Sequence, residues 1–305
     1  MFNMTRLIAI AVITVAASAC GSSVPAIDPS VRDPARRSYY EGMKSLVDGD
    51  YLEASQTFTL VASSPRTSKY AALAKLRLGD ALFFQERFAE ATEVYRGFTN
   101  QYKSDPNMPY ARFQVAHCYF RRLPTEWAIS PPAYELDQTL TQQAEAELKG
   151  FIGQFPTSRF AADARLMLRD TRKMLFNHEM YAVDFYAKRK KWQAVAWRLG
   201  DAMETYPEFA VVDEARVWEL TRAWHSVGQP GETAKALGLY LENHPSGAHE
   251  AEAKAELEAI RQGLEKPKAP PPKAHDDGLD LPNTKPVTPI NEPDDSGPLA
   301  PDPLP

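Results

Sequence analysis

Apolar residues recur at helical spacing from about Pro34 to Glu265, with short loops between the apolar stretches. A spacing of three and four residues is typical of α-helices that bury one face. Strand patterns are scarce, because few β-branched residues alternate with polar ones and no Asn-Gly hairpin turn occurs. The sequence therefore predicts an all-α fold.

Small residues mark a repeat of 37 residues in the first part of the chain. Gly42, Gly79 and Ala116 are spaced at this interval, each in the middle of a predicted helix. A glycine inside a helix costs about 1 kcal/mol relative to alanine, so its repetition indicates that helices approach closely there. The second helices of the first two pairs keep the same interval. Tyr51, Ala54 and Phe58 of the first pair correspond to Phe88, Ala91 and Tyr95 of the second.

The later predicted pairs share the way in which their second helix ends. An aromatic residue or histidine followed by proline closes three of them, at Phe155-Pro156, Tyr206-Pro207 and His244-Pro245. Proline stops a helix because it cannot donate the backbone hydrogen bond. Helix pairs of this length resemble the tetratricopeptide repeat, in which each pair buries its apolar face on its neighbours. We expect five such pairs in a superhelix, followed by a capping helix at 248–265.

Two irregularities interrupt the repeat. An insertion at 123–137 contains three prolines and separates the two helices of the third pair. Residues 158–189 contain no proline or glycine and predict one helical stretch of 32 residues. This stretch is too long for half of one repeat, so we expect it to join the two halves of the array rigidly.

The N-terminal segment predicts export and a lipid anchor. The apolar run at 7–17 is shorter than the roughly 20 residues that span a bilayer, and it fits a signal peptide at 1–19. It ends on Ala17-Ser18-Ala19-Cys20-Gly21, which resembles a bacterial lipobox, where the cysteine carries acyl chains such as palmitate. The alternative is an ordinary signal peptide in which Cys20 is incidental. With a lipid on Cys20, residues 20–33 would form a flexible linker to a membrane surface.

The C-terminal segment at 266–305 has 12 prolines and no aromatic residue. Such a composition cannot bury enough apolar surface to offset the cost of ordering, so we expect a disordered tail.

Charge and motifs argue against several other functions. The net charge of −5 comes without a basic stripe, which argues against a nucleic-acid partner. With Cys20 lipidated, Cys118 has no intramolecular disulfide partner, and its apolar helical surroundings favour a buried hydrophobic role. No phosphate-binding glycine loop, nucleophile elbow or metal-ligand spacing occurs, and His178-Glu179 lacks a second histidine. We therefore expect no enzyme activity, no cofactor and no metal site.

Residues 38–243 resemble the BamD (ComL) family of lipoproteins, which belong to the β-barrel assembly machinery of the bacterial outer membrane. The insertion and the long helix fall where that family has them. The chain departs from the family in lacking the Tyr-Pro that usually ends the first pair, and in its extra C-terminal helix and tail. The motifs that carry the resemblance are Asp137-Gln138-Thr139, Phe155-Pro156, Arg172, His178-Glu179, Phe185-Tyr186, Arg189, Trp192, Arg198 and Tyr206-Pro207.

The resemblance implies a lipid-anchored scaffold on the periplasmic face of the outer membrane. Repeats 4–5, at 158–247, would dock on the central BamA-like subunit, with other assembly lipoproteins as neighbours. Arg198 matches the arginine of the family that meets an acidic residue of this subunit, and Arg189 and Trp192 would share the interface. A planar guanidinium suits a carboxylate partner. The alternative is that Arg198 is an ordinary solvated charge.

The resemblance also implies that repeats 1–3, at 34–157, receive unfolded outer-membrane β-barrel clients. Aromatic and cationic side chains could line a groove for a client peptide, although the helical spacing of each one alone favours packing between helices, so that about two of the five are expected to touch the client. The five candidates are Tyr70, Arg77, Tyr95, Tyr102 and Tyr110.

Two rival functions remain open from the residues. Another periplasmic tetratricopeptide lipoprotein, such as a pilotin or a cell-division and peptidoglycan coordinator, should lack the insertion and the long helix. An enzyme would need titratable groups that converge in a concave face, and the sequence shows no such set.

Overall fold

A computed structural model describes residues 34–64, 69–124 and 131–263. Within these ranges the chain forms twelve α-helices, one short 3-10 helix and no β-strand, which confirms the all-α prediction. The helices belong to two compact units that divide between Arg87 and Phe88. Unit 1 contains α1 (Pro34–Asp48), α2 (Tyr51–Ala62) and α3 (Lys69–Phe84).

Unit 1 closes around aromatic side chains. α2 packs against both α1 and α3, and the Tyr39 ring centroid lies 5.8 Å from that of Phe58 and 5.4 Å from that of Tyr70. Phe58 is fully buried against Gly42, where an added Cβ would lie 2.9 Å from the Phe58 ring. The prediction that glycine permits a close helix approach is therefore confirmed at Gly42.

Unit 2 contains the remaining helices, most of which pack on the next in the chain. α4 begins at Phe88, 37 residues after Tyr51 begins α2, and its repeat residues Ala91 and Tyr95 are fully buried. Cys118 is buried in α5, as its apolar surroundings predict. The elements are α4 (Phe88–Gln101), α5 (Met108–Arg121), a 3-10 helix (Ala133–Glu135), α6 (Thr139–Gln154), α7 (Ala161–Lys188), α8 (Trp192–Thr205), α9 (Pro207–Ala210), α10 (Glu214–Val227), α11 (Pro230–Asn243) and α12 (Glu250–Arg261).

The predicted helix endings are confirmed by a shared geometry. Phe155, Tyr206 and His244 have φ of −131°, −126° and −130° with ψ of 59°, 51° and 59°. Each of their N–H groups donates to the carbonyl four residues earlier, and proline follows. Three helices of unit 2 therefore end in the same way.

The long helix is one continuous element. α7 has 28 residues, which corresponds to a length of about 42 Å, and it packs on α5 and α6 as well as on α8 and α9. It begins at Ala161 rather than at residue 158, because Ser158 starts a turn in which its carbonyl accepts from the Ala161 N–H at 2.9 Å. α12 is also shorter than the predicted capping helix at 248–265 but lies within it.

Several predictions fall outside the described residues: the signal peptide at 1–19, Cys20, the linker at 20–33 and the tail at 266–305. None of the described helices is long and apolar enough to cross a membrane. The predicted functional halves, 34–157 and 158–247, do not coincide with the compact units. The functional halves are defined by what each would bind and not by how the chain packs, so this division stays a prediction.

Candidate partner-binding site

The predicted docking residues lie on the helical hairpin formed by α7 and α8. Arg189 caps the end of α7, Trp192 begins α8, and Arg198 follows within α8. Lys190 reverses the chain between them with a φ of 58°, a left-handed conformation that is uncommon outside glycine. Trp192 is half-buried and packs against the core of unit 2. The fold therefore places Arg189, Trp192 and Arg198 on one hairpin.

Aromatic rings link the two arginines of this hairpin. The Arg189 guanidinium carbon lies 3.5 Å from the Phe185 ring centroid, and that of Arg198 lies 5.6 Å from the Tyr186 centroid. The two rings meet edge to face at 5.4 Å. Cations over ring faces are held by the negative face of the π-system. We call Glu179, Phe185, Tyr186, Arg189 and Arg198 the hairpin surface.

Arg198 already has one carboxylate partner within the chain. Its Nη1 donates to Glu179 Oε2 at 2.8 Å, and its side chain remains 28% exposed. A guanidinium carries five N–H donors, and the other N–H groups of Arg198 donate to no other side chain in the described ranges. The ion pair and the Tyr186 ring therefore fix the Arg198 side chain while part of it stays accessible to a second acceptor.

Other carboxyl groups surround this pair. Partial burial raises the pKa of Asp201, and the neighbouring Glu204 and Glu179 raise it further, while Arg198 lowers it. The hairpin surface therefore combines one oriented guanidinium with nearby negative charge.

The five predicted groove residues are divided between the two units. In unit 1, Tyr70 belongs to the aromatic core, and Arg77 forms an ion pair with Asp80 at 2.5 Å. Burial raises the pKa of the Tyr39 hydroxyl, and a hydrogen bond from Arg77 opposes that rise. Tyr70 and Arg77 thus contribute to the packing of unit 1, the alternative that helical spacing left open.

In unit 2, Tyr95 is 0% exposed and meets the Tyr110 ring edge to face at 6.4 Å. Tyr110 also lies 5.6 Å from the Phe160 ring. Tyr102 packs on Phe98 at 5.1 Å. Tyr102 and Tyr110 are half-buried, so they are the two unit 2 candidates whose surfaces a ligand could reach without opening the core.

The Asp137-Gln138-Thr139 motif has a structural role that the sequence did not reveal. Gln138 is buried, and its Nε2 donates to the carbonyls of Ala133 at 2.9 Å and Leu136 at 2.7 Å. Asp137 Oδ1 accepts from the Thr139 N–H at 2.6 Å. These bonds fold the end of the insertion against the start of α6.

His178 attaches the same insertion to α7. Its Nδ1 lies 2.7 Å from the Tyr134 carbonyl oxygen, and it must donate because the carbonyl can only accept. The Tyr134 ring also lies 5.7 Å from that of Tyr181. His178 is thus a buried structural histidine, the role that its isolation in the sequence favours.

Arg172 joins several elements of unit 2. It donates to Glu145 of α6, to both carboxylate oxygens of Glu208 in α9 and to the carbonyl of Thr205. Hydrogen bonds to Glu208 and Glu145 raise the pKa of Arg172 despite its partial burial. The sequence singled out Arg172 only as part of a resemblance. No local spacing shows that its partners lie 27 and 36 residues away.

A protein-family model described as an outer membrane lipoprotein, YfiO, matches residues 32–230. The chain belongs to the YfiO family of outer membrane lipoproteins. The family match includes the described helices of unit 1, the helices of unit 2 as far as α10 and the whole hairpin surface, and it ends where α11 begins.

Relatives of this YfiO chain carry the name outer membrane protein assembly factor BamD. That of Caulobacter vibrioides is 27% identical over 244 residues, which cover 79% of this chain and 77% of the relative. That of Haemophilus influenzae is 25% identical over 230 residues, which cover 74% and 86% of the two chains. Among solved structures, a tetratricopeptide protein of Thermus thermophilus aligns over 75% of this chain and 99% of its own, with 13% identity and a TM-score of 0.33.

Proposed function

We propose that this chain is a lipid-anchored subunit of the machinery that assembles β-barrel proteins in the outer membrane. The observation that carries the proposal is the YfiO match over residues 32–230, together with relatives named as assembly factors. The chain would face the periplasm and be held at the outer membrane by acyl chains on Cys20. It acts as a scaffold that binds proteins, without catalysis, cofactor or metal.

In this proposal the hairpin surface docks on the BamA-like central subunit. Arg198 is oriented by Glu179 and Tyr186 yet partly exposed, so a carboxylate of the partner can complete its hydrogen bonding. Arg189 over the Phe185 ring offers a second cation, and Trp192 supports the hairpin from within. Binding energy concentrates in such arginine and aromatic anchors.

Unfolded outer-membrane β-barrel proteins are the proposed clients, and other lipoproteins of the machinery are the proposed neighbours. Of the five groove candidates, Tyr102 and Tyr110 are the two that we assign to client contact, because their rings are half-buried. Tyr70, Arg77 and Tyr95 support the surrounding packing. Photocrosslinkers at the Tyr102 and Tyr110 positions should capture unfolded barrel proteins, and a crosslinker at Tyr95 should not.

The docking proposal is tested by reversing the charge of Arg198. We expect Arg198→Glu to weaken binding of the central subunit by about 2–5 kcal/mol, because a desolvated charge pair becomes a repulsion. Arg169→Glu, a charge reversal at an exposed position of α7 outside the hairpin surface, serves as the matched control. Unchanged capture of the central subunit by the Arg198→Glu chain would show that the hairpin surface does not bind this subunit.

The anchor is tested separately. The Cys20→Ala chain should lose its acyl chains and leave the membrane fraction, which mass spectrometry of the mature N-terminus and fractionation both report. A wild-type chain that is cleaved but carries no lipid on Cys20 would contradict the anchor and leave the docking proposal standing.

A further inference from the structure

Exposed apolar side chains gather at one end of unit 1. Val47 lies in the last turn of α1, Leu52 in the first turn of α2, and Phe84 ends α3. They are 55%, 62% and 54% exposed. Large apolar side chains that cluster on a surface mark interaction sites more often than scattered ones do.

Two contacts join the end of α3 to the start of α2. The Phe84 ring stacks on the Tyr51 ring with centroids 5.1 Å apart and planes inclined by 20°. Gln85 Nε2 donates to the Tyr51 carbonyl oxygen at 2.8 Å, which ties the end of α3 to the start of α2. We call Val47, Tyr51, Leu52 and Phe84 the turn patch.

Carboxylates border the turn patch. Asp48 and Asp50 lie in the turn between α1 and α2, Glu53 follows Leu52, and Glu86 follows the end of α3. All four are exposed. In the same stretches of sequence, Lys44 and Arg87 carry positive charge, so the four carboxylates outnumber the cations that flank the patch residues along the chain.

We propose that the turn patch binds an extended polypeptide segment in which apolar side chains alternate with lysine or arginine. In an extended strand, every second side chain points to the same side, at a spacing of about 6.6–6.8 Å. The apolar side chains would rest on Leu52, Val47 and the stacked rings. The cationic side chains would reach the bordering carboxylates, because opposite charges attract across a partly desolvated surface.

The charge and size of the patch disfavour other occupants. Its carboxylates repel the anionic headgroups of a bilayer. In a pair of copies, two negative borders would face each other. Four side chains also fall well below the roughly 1,000 Å² that a stable protein dimer buries. A small surface of this kind suits a weak contact that forms and breaks quickly.

The identity of the natural ligand rests on the proposed function, although the patch itself does not. Strands of β-barrel proteins alternate apolar and polar side chains, so unfolded barrel proteins would offer the required pattern wherever the polar positions hold lysine or arginine. The patch would thus hold such a client by a segment between its ends, through pattern rather than sequence.

The test uses the full chain and a labelled peptide of alternating valine and lysine, with binding followed by fluorescence anisotropy. We expect Leu52→Gln with Phe84→Gln to weaken binding about tenfold, because both apolar anchors are lost. Asp50→Asn with Glu53→Gln should weaken binding about threefold and reduce its salt dependence. Leu166→Gln, at an equally exposed 62% leucine of unit 2, should leave the affinity unchanged. Circular dichroism verifies that each variant is folded.

Several outcomes would overturn the inference. One is that the chain with both Leu52→Gln and Phe84→Gln binds the peptide as tightly as the wild type does. Another is that the wild type binds a valine–glutamate peptide as tightly as the valine–lysine peptide. The others are binding to phosphatidylglycerol vesicles that depends on the patch, and a dimer that the patch substitutions dissociate. Capture of the central subunit, measured on the same samples, separates the two proposals. Failure of peptide binding with docking intact contradicts only the turn patch, and loss of docking with peptide binding intact contradicts only the proposed function.

Discussion

Each of the two compact units is stabilised internally by a different kind of contact. Unit 1 packs aromatic rings and Phe58 against Gly42, so its stability comes from burial. Unit 2 adds arginine–carboxylate pairs between helices that are far apart in sequence, at Arg96–Glu147, Arg172–Glu145, Arg172–Glu208, Arg216–Asp184 and Arg222–Glu256. Burial is non-directional, whereas forked guanidinium bonds fix how one helix is placed on another. The difference indicates that the positions of the helices around the hairpin surface are constrained more tightly than those of the helices in unit 1.

The largest expected effect tests the apolar side of this comparison. Phe58→Ala should lower the free energy of unfolding by about 3–5 kcal/mol, because it leaves a cavity in the core of unit 1. Leu60→Ala, at a highly exposed position two residues along the same helix, should change it by less than about 0.5 kcal/mol. Urea denaturation measures both, and similar effects of the two substitutions would contradict the central place of Phe58.

The next effect tests the polar side. Arg172→Met should lower the free energy of unfolding by about 2–3 kcal/mol, below the roughly 3–5 kcal/mol of a fully buried pair, because Glu208 is 40% exposed. Lys235→Met breaks the solvent-exposed pair with Glu232 and should cost less than about 0.5 kcal/mol. Equal costs in urea denaturation would mean that Arg172 adds nothing beyond a surface charge.

The same pair gives a pH dependence. Hydrogen bonds from Arg172 lower the pKa of Glu208, so the native state binds this proton more weakly than the unfolded state does. The stabilisation is therefore present above the ordinary glutamate pKa of about 4.5 and is lost as the pH falls through the lowered value. The Arg172→Met chain should show less loss of stability between pH 5 and pH 3, roughly the window in which glutamate titrates.

A smaller effect concerns the attachment of α12. The Tyr240 hydroxyl and the Ala248 N–H both donate to Glu214 Oε1 at 2.6 Å, and a Cβ on Gly247 would lie 2.6 Å from the same oxygen. Gly247→Ala should therefore cost about 1–3 kcal/mol and expose the α12 amides to hydrogen exchange. Gly238→Ala, where the added Cβ has open space inside α11, should instead stabilise by about 0.5–1 kcal/mol. The same sign for both substitutions would contradict the role of Gly247.

The smallest effect concerns the insertion. His178→Phe removes the donor to the Tyr134 carbonyl and should cost about 1 kcal/mol, with faster hydrogen exchange at residues 133–136. Tyr181→Phe keeps the ring that packs on Tyr134 and should change little. If exchange is unaltered in the His178→Phe chain, the insertion is held by other contacts.

Local patterns made the helices predictable, and long-range pairs escaped prediction. The small residue Gly42 and the proline after Tyr206 act through backbone geometry, which spacing in a sequence records directly. By contrast, Glu179 meets Arg198 only because α7 and α8 fold back on each other, 19 residues apart. Helical spacing favoured a core position for Tyr95, which is fully buried, but it could not show which of the five groove candidates keep an exposed face. Helix boundaries such as Ala161 shifted by a few residues because turn bonds of Ser158 compete with the first helical turn.

The continuity of α7 constrains how this family can change length. Each residue of a helix turns the chain by about 100°, so one residue inserted near Thr171 would swing everything from α8 to α12 around the helix axis. Seven inserted residues would restore the phase almost completely and displace that half by only about 10 Å along the axis. Natural variants of the mid-helix should therefore differ in length by close to whole numbers of helical turns, such as roughly 7, 11 or 18 residues.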